Sequence, residues 1–323
     1  MDGLHTFWNK LDLETHRLYF LRKKLVYWQG WLLKLTFRKM WNTLLTLGSY
    51  YYSRIWNSTR HPARPISISI EPTTACNLRC PECPSGLRNF SRDTGNIERE
   101  TWKKMIDSLH EDLLSVLFYF QGEPFIHGDL TEMIRYAHKR GLYTMTSTNA
   151  HFLDLSRARE VVESGLDELI VSIDGLSQEV YSSYRRNGSL EKVLEGVRHI
   201  IEAKENLGSK RPYLVFQFLV VRPNEHQIPA VYEKARAMGV DAVRLKTAQL
   251  YDYENGHPLM PEQRKYRRYE QDASGQYRLK HRLKDHCWKM WHSCVMTWDG
   301  RIVPCCFDKD AAHPMGDIRR QDF

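Results

Sequence analysis

The run Glu71-Pro-Thr-Thr-Ala-Cys76-Asn-Leu-Arg-Cys80-Pro-Glu-Cys83-Pro84 decides how the chain reads. It holds the first three of only seven cysteines, separated by three residues and then by two. Three thiolates on one short loop match three corners of a four-iron cluster and leave the fourth iron without a protein ligand, whereas closed electron-transfer clusters use four cysteines. An open iron invites a small molecule to bind it. The competing assignment is structural zinc, the commoner role of clustered cysteines in a cytosolic chain. Zinc modules favour pairs with a short gap within each pair, and three cysteines in this spacing, directly after a strand, fit that pattern poorly.

Upstream of the loop, Ile66, Ile68 and Ile70 alternate with Ser67 and Ser69, the period-two signature of a strand. Further apolar runs follow at 116–120, 143–146, 169–173, 214–221 and 242–245. Helical patterns lie between them. Leu130, Met133, Ile134 and Ala137 form one face, closed by Gly141. Leu190, Val193, Leu194, Val197, Ile200 and Ile201 form another behind Ser189, and Ile228, Val231, Tyr232 and Ala235 a third. Six strands alternating with helices predict an α/β fold of parallel βαβ units, with the site at the carboxyl ends of the strands.

With these elements in place, the cysteine loop resembles the signature of the radical S-adenosylmethionine (radical SAM) superfamily. That resemblance implies a partial (β/α)6 barrel, and a [4Fe-4S] cluster held by Cys76, Cys80 and Cys83. The open iron is chelated by the amino and carboxylate groups of S-adenosylmethionine. Reductive cleavage then gives a 5′-deoxyadenosyl radical that removes hydrogen from the substrate. Glu82 stands where many members carry an aromatic residue near the adenine. After the second strand, Gln121-Gly122-Glu123-Pro124 resembles the segment that binds the amino group of S-adenosylmethionine; a carboxylate and carbonyls facing an ammonium make electrostatic sense. Ser147-Thr148-Asn149-Ala150 and Ser172-Ile173-Asp174-Gly175 follow the third and fourth strands, resembling segments that bind the ribose or the methionine carboxylate. Gly122, Glu123, Asn149, Ser172 and Asp174 are therefore the expected cofactor-binding residues. Asn149 and Asp174 serve equally well as capping or turn residues. Gln217, Arg244 and Lys246 on the last two strands are weaker candidates.

The other four cysteines fall in Cys287-Trp-Lys-Met-Trp-His-Ser-Cys294 and in Cys305-Cys306, with a hairpin signal at Asp299-Gly300 between them. The hairpin is expected to bring Cys294 and Cys305 together at its open end. This stretch resembles the start of a SPASM or twitch extension, which binds auxiliary iron–sulfur clusters. The resemblance implies Cys287 and Cys305 as ligands, with Cys294 and Cys306 behind them. The family's further cysteines do not follow before Phe323, so the auxiliary site is expected to be incomplete or the chain truncated. A zinc site of Cys287, His292, Cys294 and Cys305 is the alternative.

Two groups of cysteines with none between Cys83 and Cys287 suit metal ligation better than disulfides, and no secretory signal is evident. A cytoplasmic protein is expected. Residues 1–64 hold 11 Lys/Arg against 3 Asp/Glu, the whole of the net charge of +8, since the other 36 basic and 36 acidic residues balance. Within this segment Leu18, Leu21, Leu25, Trp28, Leu32 and Leu35 recur at helical spacing, broken by Arg22, Lys23, Lys24, Lys34, Arg38 and Lys39; Trp8, Trp31, Trp41 and Trp56 add to its aromatic character. The uncharged stretch 40–53 is too short and polar to span a bilayer, which needs about 20 apolar residues. Two readings remain: a basic helix on the inner membrane surface, or an arm packed on the barrel or a partner. No nucleic-acid motif accompanies the charge.

The expected organisation is an N-terminal helical arm (1–64), a barrel (65–247), a linker or loop region (248–286) and an incomplete SPASM-like, Cys-rich β-hairpin module (287–323). The expected function is radical SAM chemistry on a peptide or a small molecule to be dehydrogenated, with a flavodoxin- or ferredoxin-like reductant. A non-catalytic zinc protein docked to a membrane or partner is the alternative.

Overall fold

The computed structural model describes residues 19–21, 23–280 and 286–323. The expectations attached to Trp8, Leu18 and Arg22, and the 281–285 part of the linker, lie outside them.

All six predicted strands form, as β1 (Ser67–Ile70), β2 (Ser115–Leu117), β3 (Tyr143–Thr148), β4 (Glu168–Ser172), β5 (Tyr213–Val220) and β6 (Ala242–Thr247). Each pairs in parallel with the next, so they follow one another across an open, curved sheet. Helices α4 (Arg99–Leu109), α5 (Leu130–Lys139), α6 (Leu155–Glu163), α8 (Leu190–Asn206) and α9 (Ile228–Ala237) connect them. Their apolar stripes, such as Val193, Val197 and Ile200 of α8, join Ile68, Val116, Leu169 and Phe216 in one core between sheet and helices. Ser189 caps α8 by accepting a bond from Lys192 N at 3.3 Å, as its sequence position predicts.

Two segments carry structure that the sequence does not spell out. The C-terminal hairpin joins the barrel's sheet: β9 (Ser293–Met296) lies parallel to β1, and β10 (Arg301–Val303) and β11 (Gly316–Asp317) extend the sheet to nine strands. The 248–280 stretch is more than a linker. It carries the hairpin β7 (Tyr269–Gln271) and β8 (Tyr277–Leu279), and it buries Leu250, Met260 and Tyr269 against Leu78 and Cys80 of the cysteine loop. Its apolar residues are spaced irregularly, so no periodicity betrayed the second core.

The arm is helical over residues 23–32 (α1) and Phe37–Trp56 (α2), and it crosses the amino-terminal ends of the strands. Trp31 stacks on Tyr143 at the start of β3, with ring centroids 4.1 Å apart, and Tyr27 packs on Tyr213 at the start of β5. The face of α2 that meets the barrel is polar. Lys39 Nζ donates to Gly141 O at 2.6 Å, and Asn42 Nδ2 to Arg64 O at 3.0 Å and Asp112 O at 3.2 Å. Thr46 and Ser49 are buried beside them. Burial pushes the Lys39 ammonium down to about 8, and Lys34, beside Asp167, is lowered by the same cause. The strand starts expose loop carbonyls and carboxylates, and only a polar helix face satisfies them.

A buried ion pair joins barrel and extension. Arg92 grips Glu71 just past β1 through two bonds of 2.6 and 2.9 Å, and both side chains are buried. Glu71 also accepts from Trp298 N, and Arg92 Nε donates to Lys309 O at 2.7 Å. Burial raises the Glu71 carboxyl despite the arginine. Arg92→Ala strands that carboxylate without its partner, so it is expected to lower stability by about 3–5 kcal/mol. A urea-denaturation midpoint unchanged from the parent would contradict this.

Candidate active site at the strand carboxyl ends

The cysteine loop leaves the end of β1 and is pinned on every side. Glu123 N donates to Ala75 O at 2.7 Å, and Gly122 N to Ser85 Oγ at 2.8 Å. Gly122 has φ +74, and a Cβ there would lie 2.3 Å from Thr73 O. Only glycine permits that approach between the β2 turn and the cysteine loop. Asn149 Nδ2 donates to Asn77 Oδ1 at 2.7 Å, and Arg79 N to Arg186 O at 3.0 Å. The segments after β2, β3 and β4 therefore meet around one loop, as the sequence order predicts.

Within this frame Cys80 is buried, and Cys76 and Cys83 are half-buried against the same small core. Burial drives the Cys76 thiol up to about 12, against the weaker pull of the Leu78 N–H. Burial raises Cys80 as well, opposed chiefly by the Arg185 guanidinium, whose Nη1 lies 3.9 Å from its sulfur. Thiolates here need a positive centre supplied from outside the chain, which is what iron provides. The donor set thus fits a cluster. Among the described residues no three His, Cys, Asp or Glu side chains close on a single metal ion. A four-iron cluster asks each cysteine to hold a different iron, so that geometry is no obstacle to it. Beside Cys76 a cavity of about 390 Å³ runs along Thr73–Ala75 to Ser85 and Arg88.

The expected cofactor contacts divide. Glu123 is buried, with both carboxylate oxygens already engaged: Oε1 accepts from Thr148 Oγ1 at 2.7 Å and Oε2 from Asn149 N at 2.7 Å. Burial pushes it up to about 7. Its side chain ties the β2 end to the β3 end. Asp174 is likewise engaged, accepting from Leu219 N at 2.7 Å and pairing with Arg185 Nε at 2.5 Å. Ser172 is buried in register with Gln217, and Arg244 pairs with Glu168 at the opposite end of the barrel, away from the cysteines. Lys246 is exposed on β6.

Arg185, the cation beside Cys80, carries no signal in the sequence. It sits at the end of the short helix α7 (Gln178–Tyr184), in an Arg-Arg pair that carries no motif. Glu82, in the position of the expected aromatic, turns toward the 248–280 segment. Its carboxylate accepts from Tyr251 N at 2.7 Å and lies 3.3 Å from His257 Nε2. That bond fastens the second core to the loop.

The C-terminal cysteines separate. Cys294 joins Ile68, Met296 and Ile302 in the core between sheet and helices. Val295, Val303 and Cys306 face the other side. Cys294 and Cys306 thus pack into different clusters, and Cys294 serves as a packing residue of the main core. The proposed zinc quartet is not assembled among the described residues. Cys287 is exposed, Cys305 half-buried, and Lys289 Nζ lies 3.5 Å from Cys306 Sγ.

Residues 70–235 match the radical SAM superfamily, and residues 287–323 match the SPASM iron–sulfur cluster-binding domain. A tungsten-containing aldehyde ferredoxin oxidoreductase cofactor-modifying protein of Pyrococcus furiosus is 26% identical over 264 residues, covering 74% of this chain and 70% of that one. A PqqA peptide cyclase of Gluconobacter oxydans is 26% identical over 202 residues, covering 62% of this chain and only 54% of the cyclase. The crystal structure of Streptococcus suis SuiB bound to S-adenosylmethionine superposes with a TM-score of 0.60 at 13% identity, over 80% of this chain and 64% of SuiB. The chain belongs to the radical SAM superfamily, as an enzyme of the kind that uses a [4Fe-4S] cluster and S-adenosylmethionine and that carries a SPASM segment for auxiliary iron–sulfur binding.

Proposed function

We propose that this chain modifies a peptide substrate by radical chemistry started at the loop of Cys76, Cys80 and Cys83. The observation that carries the reading is the convergence of three thiols with the ends of β2, β3 and β4 around one pinned loop. The bound cluster and S-adenosylmethionine supply a carbon-centred radical able to remove hydrogen from a C–H bond.

The chain's own residues position and insulate that chemistry. Cys76, Cys80 and Cys83 would hold three irons. Arg185, fixed by Asp174, offsets thiolate charge and stands ready for a cofactor carboxylate. Glu123 acts through the frame: by holding Thr148 and Asn149 it aims the β3 turn at the loop, leaving the amino group of S-adenosylmethionine to the backbone around Gly122. Ser172 and Asn149 are the remaining polar groups offered to the cofactor. Cys287 and Cys305 would be the auxiliary ligands, with Cys306 beside Cys305 in the chain. Similarity to a PqqA peptide cyclase favours a peptide over a small molecule. A flavodoxin- or ferredoxin-like protein supplies the electron.

Anaerobic reconstitution with iron and sulfide is expected to give the brown iron–sulfur absorption. With dithionite and S-adenosylmethionine the protein should then release 5′-deoxyadenosine. Cys80→Ala should lose that product and part of the absorption, keeping what belongs to the C-terminal site. A parent protein that binds only zinc and yields no 5′-deoxyadenosine would sink the enzymatic reading.

Glu123 gives a second test. Its folded pKa of about 7 lies above the ordinary carboxyl range, so its contribution to stability is fully present at low pH and is lost as pH rises through 7. Glu123→Gln in the cluster-free protein should therefore flatten the fall in stability between about pH 5 and 7. Parallel pH profiles for parent and variant, measured by urea denaturation, would refute the assignment.

A further inference from the structure

Helix α2 is amphipathic the wrong way round. On α2 the side turned to the barrel carries Lys39 (3% exposed), Asn42, Thr46 (0%) and Ser49, three or four residues apart. The opposite side carries Phe37 (83%), Trp41 (56%), Leu44, Tyr51 and Ile55 (71%), again at helical spacing. On α1, Leu25, Trp28 and Leu32 are exposed in the same manner. Together these residues give each helix of the arm an exposed apolar face, a denser set of large hydrophobics than scattered single ones. The barrel does not need it, because α2 meets the barrel through its polar side and α1 through Tyr27 and Trp31.

Three properties of these faces indicate what covers them. First, residues 19–64 include nine Lys/Arg and no Asp or Glu, and Lys24, Arg54 and Arg60 are exposed beside the apolar residues. Two copies of this surface would bring like charges together, whereas an anionic headgroup layer supplies the opposite charge. Secondly, tryptophan and tyrosine are prominent, the side chains that favour the boundary between hydrocarbon and headgroups. Thirdly, no described helix is long and apolar enough to cross a membrane, so such a helix lies in the surface plane.

We propose that the exposed face of α1 and α2 is a docking surface for an anionic lipid bilayer. Because the arm crosses the amino-terminal ends of the strands, docking points the cysteine loop away from the membrane. The site would then stay open to the aqueous phase while the enzyme is held at the surface.

The full chain should co-sediment with vesicles of phosphatidylglycerol in phosphatidylcholine, and much less with phosphatidylcholine alone. Binding should weaken in about 0.5 M NaCl, where screening acts over a few ångströms. The quadruple variant Phe37→Ser, Trp41→Ser, Leu44→Ser, Ile55→Ser changes only exposed side chains. It should keep the parent's urea midpoint and lose at least about tenfold in partitioning, given the apolar area withdrawn. Equal partitioning of parent and variant overturns the proposal. So does a parent that stays in the supernatant with both vesicle types; if it also forms a dimer that the variant lacks, the face belongs to a second copy. None of these readouts needs the cluster, so failure here is separate from failure of the proposed reaction.

Discussion

Everything at the top of the barrel answers to one constraint: Cys76 and Cys80 are placed where burial opposes their ionisation. Cys76 is driven to about 12 and Cys80 is raised despite a neighbouring guanidinium. A loop with that property gains little from itself. It is held by others: Ala75 by Glu123, Asn77 by Asn149, Arg79 by Arg186, Glu82 by Tyr251. Four different parts of the chain fix a stretch of eight residues. Fixing matters because cluster binding must displace thiol protons without also having to order the loop.

The same constraint explains why the carboxylates near the site are engaged by protein groups. A free buried carboxylate would raise the thiols still further. Glu123 and Asp174 instead accept N–H, O–H and guanidinium donors, and each uses those bonds to join neighbouring strand ends. Glu71 does so one layer below, where Arg92 and Trp298 fasten β1 to the C-terminal extension. The extension is thus tied to the first strand by ladder bonds and by a buried ion pair together.

The six strands were legible because each is an apolar run flanked by helices of clear 3.6 periodicity, and the site followed from their order. What escaped was set by partners distant in sequence. Arg185 has no local signal; its meaning comes from Asp174 and Cys80. The 248–280 segment looked like a linker because its apolar residues are irregularly spaced and close into a core only around Leu78 and Cys80 of the cysteine loop. Cys294 looked like a ligand by spacing, but pairing of β9 with β1 turns it into the core. A one-residue change of register would have put it on the other face.

The arm shows the limit most sharply. Its periodicity over 18–35 predicts helix, and 23–32 is helical, but periodicity does not say which stripe meets the protein. That choice was made by the strand starts, where Gly141 and Asp112 present backbone oxygens and Asp167 presents its carboxylate. Burying Lys39 and Asn42 satisfies them, and burying Trp41 and Leu44 there would have left those acceptors unpaired in an apolar contact. The polar seal therefore comes first energetically, and the outward apolar band is its consequence. A sealed lower end and an open upper end give the barrel a direction, and the charge of the arm gives that direction something to orient against.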